Sequence, residues 1–190
     1  MSVNKIDKIC LYRVQIPICT LNLKERRIKM IEGIVLPESV KSIFYVLNRN
    51  GYEAYLVGGA VRNSIIGLPV HDWDICTNAL PEDVCKLFRS KGFRVVETGL
   101  QHGTVTVMVN YRGYEITTYR TDGKYTDSRH PDSVKFIGNI HEDLARRDFT
   151  MNAIAYNDDD GFIDPFNGLK DIENKVIRCV GTPVDRFTED

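Results

Sequence analysis

The 190-residue sequence has no paired cysteine motif, few histidines and no long apolar segment. Its five cysteines form no C-x-x-C pair and are odd in number, which indicates reduced thiols, and its four histidines lack the spacing of zinc ligands. No apolar run approaches the roughly 18 residues of a membrane-spanning helix, and no Walker lysine follows a glycine pair. We therefore expect a soluble, cytoplasmic protein without a zinc site or a membrane span.

A strong net charge is also absent. Lysine and arginine total 25 while aspartate and glutamate total 26, which gives a net charge of −1. A protein that holds nucleic acid by itself usually carries a basic excess, so we do not expect this chain alone to bind RNA tightly. The hydrophobic content of 43% is enough for one good core and the beginning of a second unit.

Residues 1–29 differ in pattern from the rest of the chain. The apolar segment 14–23 is interrupted by Pro17 and is too short for a signal peptide, and residues 24–29 are a charge run typical of a solvated face. We expect an N-terminal extension that is peripheral to the domain. The domain pattern begins near Met30, which would serve as a start codon.

The most informative stretch, residues 56–77, predicts a strand, a glycine turn, a helix and a second strand. Gly58 and Gly59 permit a tight turn that directs backbone N–H groups outward at a helix start, where phosphate binds. Asp72 and Asp74 are two residues apart, so an extended strand would project both carboxylates from one face, roughly 6–7 Å apart. A divalent cation such as Mg²⁺ relieves the repulsion within such a pair.

Each half of this stretch also has a less specific interpretation. An isolated Asp-x-Asp is usually a solvated turn, and an isolated Gly-Gly is usually a loop. An anion-binding turn and a carboxylate pair within one strand-helix-strand unit together favour nucleotide chemistry.

The remaining periodicity predicts further helices and short strands. Helices are expected at residues 37–48, 60–66 and 81–89, the last of them capped by Thr77 or Asn78. Strands are expected at residues 55–57, 94–96, 103–109 and 114–119, with a hairpin turn at 111–113. The pattern therefore predicts an α+β fold with a small mixed sheet and flanking helices.

Glu115 is a candidate third metal ligand. Considered alone, it is an ordinary exposed residue of the predicted strand 114–119. If that strand adjoins the one that carries Asp72 and Asp74, Glu115 can reach the same metals, as a two-metal site requires.

A second polar motif is Arg-Arg-Asp-Phe-Thr-Met-Asn-Ala at residues 146–153. On a helix, Asp148 and Asn152 are four residues apart and share one face. A carboxylate and an amide on one face can bind a pair of ribose hydroxyls, and a nearby guanidinium such as that of Arg147 suits a triphosphate. The alternative is a simple helix salt-bridge cluster.

These motifs resemble the bacterial-type tRNA nucleotidyltransferases, the CCA-adding enzymes, and their poly(A) polymerase relatives. The likeness extends in order over about residues 34–190, with Asn63 where the family usually has aspartate. This change removes one charge and keeps a polar helix residue. His102 begins a turn similar to the family's His-Gly-Thr turn, and we assign it no proton transfer. Residues 121–132 correspond to the family's flexible loop, or form an ordinary surface loop, and residues 163–168 resemble its hinge.

The resemblance implies a nucleotidyltransferase head like the catalytic domain of DNA polymerase beta. It divides the chain into the extension at 1–29, the head at 30–160, and a hinge with the start of an α-helical neck at 161–190. The implied reaction is attack of the tRNA 3′-hydroxyl on the α-phosphate of CTP or ATP, with release of pyrophosphate.

The resemblance also assigns the site residues. The catalytic and metal-binding set, which would hold two Mg²⁺ ions, is Asp72, Asp74 and Glu115. The nucleotide-binding set is Gly58, Gly59, Arg62, Arg147, Asp148, Asn152 and Asp190. Arg62 has the alternative role of bracing its helix.

Asp190 opens the family's fourth motif, Glu-Asp-x-x-Arg, which reads the base edge. The sequence stops there, so we expect the rest of the neck and the body and tail that hold tRNA to lie outside it. Poly(A) polymerase, a small-molecule nucleotidyltransferase and a non-catalytic nucleotide-binding piece remain alternatives.

Overall fold

The computed structural model describes residues 33–123 and 134–184. The helices in these ranges are α1 (Glu38–Asn48), α2 (Gly59–Ile66), α3 (Pro81–Ser90), α4 (Ile140–Ala145) and α5 (Gly168–Asn174). The strands are β1 (Ala54–Val57), β2 (Ile75–Thr77), β3 (Arg94–Gly99), β4 (Thr104–Val109), β5 (Arg112–Thr118), β6 (Arg120–Asp122), β7 (Val134–Phe136), β8 (Ala155–Asn157) and β9 (Gly161–Ile163). None of the helices in these two ranges is long and apolar enough to cross a membrane.

Three predicted features lie outside the described residues. They are the extension at 1–29, most of the loop at 121–132, and the end of the chain with Asp190. The residues on either side of the loop are described, and there β6 pairs with β7 in antiparallel register. A separate two-stranded ribbon therefore flanks this loop.

Seven strands form one mixed sheet in the order β3-β4-β5-β2-β1-β8-β9. The neighbours β2 and β5 are parallel, with Ile75 opposite Ile116. The other neighbouring strands are antiparallel. The predicted mixed sheet is confirmed, and its parallel pair joins two segments that are far apart in the sequence.

Helix α1 forms as its apolar spacing predicts. Val40, Ile43, Phe44 and Leu47 are all buried, so one face of the helix packs into the larger hydrophobic core. Burying a side chain of this size contributes about 1.5–3 kcal/mol. The amphipathic pattern is therefore sufficient to attach α1 to the sheet.

Helix α3 begins differently from the prediction. Its N-cap is Leu80, without a side-chain cap, and Pro81 occupies the first turn, where its missing N–H is not needed. The two predicted caps are used elsewhere. The Thr77 hydroxyl accepts from the Ala79 N–H at 3.1 Å, and the Asn78 side-chain oxygen accepts from the Glu53 N–H at 2.9 Å. The capping prediction was wrong because these acceptors join β2 to other backbone groups.

The hairpin between β4 and β5 turns earlier than predicted. Asn110 and Tyr111 have φ angles of 50° and 63°, and Val109 lies opposite Arg112. Two central residues with positive φ make a turn of the type that matches the strand twist. The predicted turn at 111–113 was therefore wrong, and β5 begins at Arg112.

The side chains of β5 alternate between a covered face of the sheet and an open one. Tyr114, Ile116 and Thr118 are buried, whereas Gly113 and Glu115, which alternate with them, are exposed. This alternation is expected of a strand with one face on the core. It places Glu115 on the open face, beside the start of β2.

The sheet continues beyond residue 160, because β9 pairs with β8 and places Ile163 opposite Ala155. Asp164 follows and accepts from the backbone N–H groups of Gly168 and Leu169 at 2.7 and 2.9 Å. These bonds hold the first turn of α5 against the end of the sheet. The proposed division between head and neck stays a prediction.

Candidate active site

The glycine turn joins β1 to α2 as predicted. Gly58 has φ 66° and ψ −133°, a backbone conformation that side chains strongly disfavour, and α2 starts at Gly59. A Cβ added at Gly58 would lie 3.2 Å from Nη1 of Arg147. The first amides of a helix have no intrahelical acceptor and carry a positive dipole end. The turn therefore presents donors and a guanidinium to an anion.

Asp72 and Asp74 lie in the extended segment that leads into β2, which itself starts at Ile75. The strand was predicted to include both residues. Pairing with β1 still reaches Asp74, whose carbonyl accepts from the Val57 N–H at 3.1 Å. Asp72 is exposed and Asp74 is half-buried. The pair is therefore fixed beside the glycine turn by the sheet.

The parallel register of β2 and β5 brings Glu115 next to Asp74, since their following residues Ile75 and Ile116 are paired. The pKa of Asp74 is raised, first by burial and then by the negative charges of Glu115 and Asp72, while Arg147 opposes the shift. Excess negative charge of this kind favours a bound cation. The register thus places Glu115 on the strand beside Asp74, within reach of electrostatic interaction with it.

The chemistry of these groups fits a divalent metal ion. Within residues 33–123 and 134–184, no three His, Cys, Asp or Glu side chains are already close enough to form a metal site. Burial is the main cause of the raised pKa of Asp74, and the charges of Glu115 and Asp72 add to it. Hard oxygen ligands in such a setting suit Mg²⁺.

Arg147 connects the carboxylates to the glycine turn. Its Nη2 donates to Asp143 at 3.2 Å, and Asp143 is completely buried. Arg146 donates to the same carboxylate at 3.1 Å. Among the described residues, the buried Nε of Arg147 has no hydrogen-bond partner. Asp143 therefore holds Arg147 from behind while its Nη1 lies against Gly58.

The motif at 146–153 is not helical, which corrects the prediction. Helix α4 ends at Ala145, and only a 3₁₀ turn, Thr150–Asn152, follows. The backbone of this segment bonds to a later part of the chain instead: Val180 N–H donates to the Asp148 carbonyl, and Thr150 N–H donates to the Arg178 carbonyl, both at 2.9 Å. Tertiary pairing has replaced the helix.

The turn nevertheless brings Asp148 and Asn152 together. The Asn152 amide nitrogen donates to the Asp148 carboxylate at 3.0 and 3.3 Å, and its oxygen accepts from Arg62 at 2.5 Å. Arg62 only donates and an ionised aspartate only accepts, so these partners determine the orientation of the amide. Arg62 also donates to the Asn63 side chain at 3.1 and 3.2 Å. A polar chain therefore runs from α2 to Asp148.

Arg62 accordingly braces its helix against the 3₁₀ turn, and its role as a site residue stays a prediction. Its guanidinium lies 3.5 Å from the position of a Cβ at Gly59, beside the anion-binding turn. Asn63 accepts from Arg62 without adding negative charge, so the guanidinium is not neutralised there. His102 contributes its carbonyl, which accepts from Arg120, and no role in the site follows from it.

Sequence reasoning missed two buried aspartates behind the site. Asp143 could have been found from its spacing of three and four residues to Arg146 and Arg147 on a helix. Asp171 gave no comparable signal, because its partner Thr150 is 21 residues away. Buried carboxylates are uncommon and normally paired. Asp143 accepts from Arg147 and Asp171 accepts from Thr150, so both stabilise the segment that carries the candidate site.

The sheet, the glycine turn and the adjoining carboxylates are those of a nucleotidyltransferase head. Residues 54–178 match the poly A polymerase head domain, and the chain belongs to this family. The predicted family and fold class are confirmed.

Several proteins similar to this chain are CCA-adding enzymes. That of Ligilactobacillus salivarius is 47% identical over 158 residues, which cover 82% of this chain and 38% of that protein. The structure of the Bacillus stearothermophilus CCA-adding enzyme in complex with CTP has a TM-score of 0.70 at 44% identity, covering 80% of this chain and 35% of the other. A tRNA nucleotidyltransferase complexed with a primer tRNA and an incoming ATP analog has a TM-score of 0.58 at 33% identity, covering 78% and 41%. The chain thus spans less than half the length of these relatives.

Proposed function

We propose that this chain is the catalytic head of a CCA-adding tRNA nucleotidyltransferase, which transfers CMP and AMP from CTP and ATP to the 3′ end of tRNA. One observation carries the proposal: Asp74 interacts with Asp72, Glu115 and Arg147, while Arg147 also lies against the Gly58 turn. A cation site and an anion site are therefore adjacent, as transfer from a nucleoside triphosphate requires.

The triphosphate would bind at the start of α2. The amides after Gly58 and Gly59 donate to phosphate oxygens, and the guanidinium of Arg147 supplies positive charge at the same place. Asp143 keeps this guanidinium in position, since its carboxylate is buried and directed at Nη2. Arg62, beside Gly59, adds a second positive group.

The ribose would bind to Asp148 and Asn152. Asp148 is exposed and its carboxylate accepts hydroxyl hydrogens, while the Asn152 amide is fixed between it and Arg62. The contacts at these two positions are independent of the base. We therefore expect the described residues to bind any nucleoside triphosphate.

In the reaction, the tRNA 3′-hydroxyl loses its proton to solvent and its oxygen forms a bond to the α-phosphorus, the bond from that phosphorus to the bridging oxygen breaks, and pyrophosphate leaves. Asp72, Asp74 and Glu115 would hold two Mg²⁺ ions, and bound ions would supply positive charge at the reacting phosphate and activate the hydroxyl. Arg147 holds the leaving pyrophosphate by charge-assisted hydrogen bonds. Base selection would involve Asp190 and residues that follow it in the longer relatives.

A second candidate is 3′ adenylation of the poly(A) polymerase type, because the matching family takes its description from that enzyme. The two activities differ in product. A CCA-adding enzyme stops after three defined nucleotides, whereas a poly(A) polymerase continues with AMP.

The experiment places this head in the longer chain of a relative. Residues 34–184 would replace the matching segment of the Ligilactobacillus salivarius enzyme, which is 47% identical in this region. The chimera would be incubated with tRNA lacking its terminal CCA, Mg²⁺, and CTP with ATP. We expect addition of C, C and A. The matched control carries Asp72→Asn.

The chimera takes its base-selecting residues from the relative, so addition of C, C and A tests the catalytic role of this head. A homopolymer of adenylate would mean that the head itself determines the nucleotide, which would support the second candidate. A chimera that folds, binds tRNA and adds nothing would overturn both, provided that the unmodified relative is active in the same assay.

A further inference from the structure

Thr150 lies within the ribose-binding turn but does not face the nucleotide. It is 2% exposed and is located between Asp148 and Asn152. Its hydroxyl donates to the Asp171 carboxylate at 2.7 Å, and Asp171 is 4% exposed. Neither side chain can touch a ligand, so any effect they have on binding must pass through the turn.

Asp171 is itself fixed from a second direction. Nε of Arg178 donates to the same oxygen that accepts from Thr150, at 3.0 Å, and Nη2 reaches the other oxygen at 3.3 Å. The carbonyl of Arg178 accepts from the Thr150 N–H at 2.9 Å. Thr150 is thus bound to this segment through both its backbone and its side chain.

Helix α5, which carries Asp171, packs against the turn without intervening side chains. A Cβ at Gly168 would overlap the carbonyl oxygen of Thr150. Only glycine permits this approach. The same carbonyl also accepts from the Ala153 N–H at 3.1 Å, which closes the 3₁₀ turn.

We propose that Thr150 and Asp171 are positioning residues for the ribose: their hydrogen bond sets the orientation of the turn and therefore the separation of Asp148 and Asn152. This inference rests on the proposed function, in which those two side chains bind the ribose hydroxyls. The turn is three residues long, so a rotation at Thr150 displaces Asn152 directly. Asn152 would then lose the alignment in which it bonds both Asp148 and Arg62.

The test compares two variants at one position. Thr150→Val keeps the shape of the side chain and removes the hydroxyl, whereas Thr150→Ser keeps the hydroxyl. The 190-residue chain would be titrated with ATP and with 2′,3′-dideoxy-ATP at fixed Mg²⁺, and the ratio of the two dissociation constants would be measured. This ratio isolates the ribose hydroxyls, because both nucleotides share the base and the triphosphate.

We expect the wild type to bind ATP about tenfold more tightly than the dideoxy analogue, since a hydrogen bond to a charged group has about this effect. Thr150→Val should reduce the ratio to near one by weakening ATP binding only, and Thr150→Ser should retain it. Asp171→Asn keeps an acceptor for the hydroxyl and weakens the contact with Arg178, so it should lower the melting temperature while retaining most of the ratio.

A Thr150→Val protein that weakens both nucleotides equally, or neither, would overturn the inference and leave the proposed function intact. A wild type that binds ATP and its dideoxy analogue equally would overturn the ribose assignment and the inference with it. If Thr150→Val does not fold, Thr150→Ala, which also removes the hydroxyl, replaces it, and a wild-type ratio in that variant would overturn the inference.

Discussion

The carboxylates at the front of the site and those behind it have opposite surroundings. Behind the site, Asp143 is fully buried between two arginines, and Asp171 is buried between Thr150 and Arg178. At the front, Asp74 has two carboxylate neighbours and one arginine, and its pKa is raised. Paired burial indicates a structural carboxylate, whereas a half-buried carboxylate with like-charged neighbours is typical of a functional site.

The largest expected effect is at the front. In the chimera described above, Asp72→Asn or Asp74→Asn should lower nucleotide incorporation by about three orders of magnitude, since metal stabilisation of this kind is worth several kcal/mol. Circular dichroism and melting should show an intact fold. Incorporation at the wild-type rate with saturating Mg²⁺ in either variant would remove that residue from the catalytic set.

The next effect is behind the site. Asp143→Ala should lower the free energy of unfolding by about 3 kcal/mol, because breaking a buried pair leaves the arginines without compensation. Urea unfolding of the 190-residue chain would measure it. The control is Glu142→Gln at the exposed neighbouring position, which should change stability by less than about 0.5 kcal/mol. Equal effects at 142 and 143 would contradict the distinction between paired burial and exposure.

A pH series sharpens the comparison further. The raised pKa of Asp74 means that the folded protein without metal binds more protons than the unfolded chain, so stability should fall as pH rises above about 4 through the folded pKa. Asp74→Asn should flatten this slope in EDTA, which melting temperatures across the series would show.

Asp160 provides a contrast of opposite sign. Hydrogen bonds from Tyr55 and Asn157 lower the pKa of its carboxyl, so it contributes stability above the unfolded pKa that is lost as pH falls through the folded value. Asp160→Asn should therefore remove stability at neutral pH. If Asp74→Asn and Asp160→Asn change the pH dependence of the melting temperature in the same direction, the opposite pKa shifts of the two carboxylates are contradicted.

The smallest expected effect concerns the base. Calorimetric titration of this chain with CTP, ATP, GTP and UTP at fixed Mg²⁺ should give dissociation constants within about tenfold of one another. The proposed contacts of the described residues are to phosphate and ribose, and a larger preference would require charge-assisted contacts to the base. A strong preference for CTP and ATP would place base recognition inside the head.

Several features were predictable from the sequence because their causes are local. The glycine pair was correctly placed at a strand-to-helix turn, since Gly58 adopts a positive φ that few other residues tolerate. Helix α1 followed from the spacing of four apolar residues, and the open face of β5 followed from alternation around Glu115. The family motifs added the assignment of chemistry to these positions.

Other features depended on contacts between distant segments. Only the parallel pairing of β2 with β5 brings Glu115 to Asp74, and no local pattern specifies which strands are neighbours. The motif at 146–153 has a spacing that suits a helix. Its Thr150 N–H and Asp148 carbonyl are instead hydrogen-bonded to residues 178 and 180, so they are not available for helical hydrogen bonds. Helix propensity is a weak preference that tertiary hydrogen bonds override. The same packing buries Asp171 next to Thr150. A carboxylate is stable in this place because one oxygen accepts from the Thr150 hydroxyl and the other accepts from Arg178.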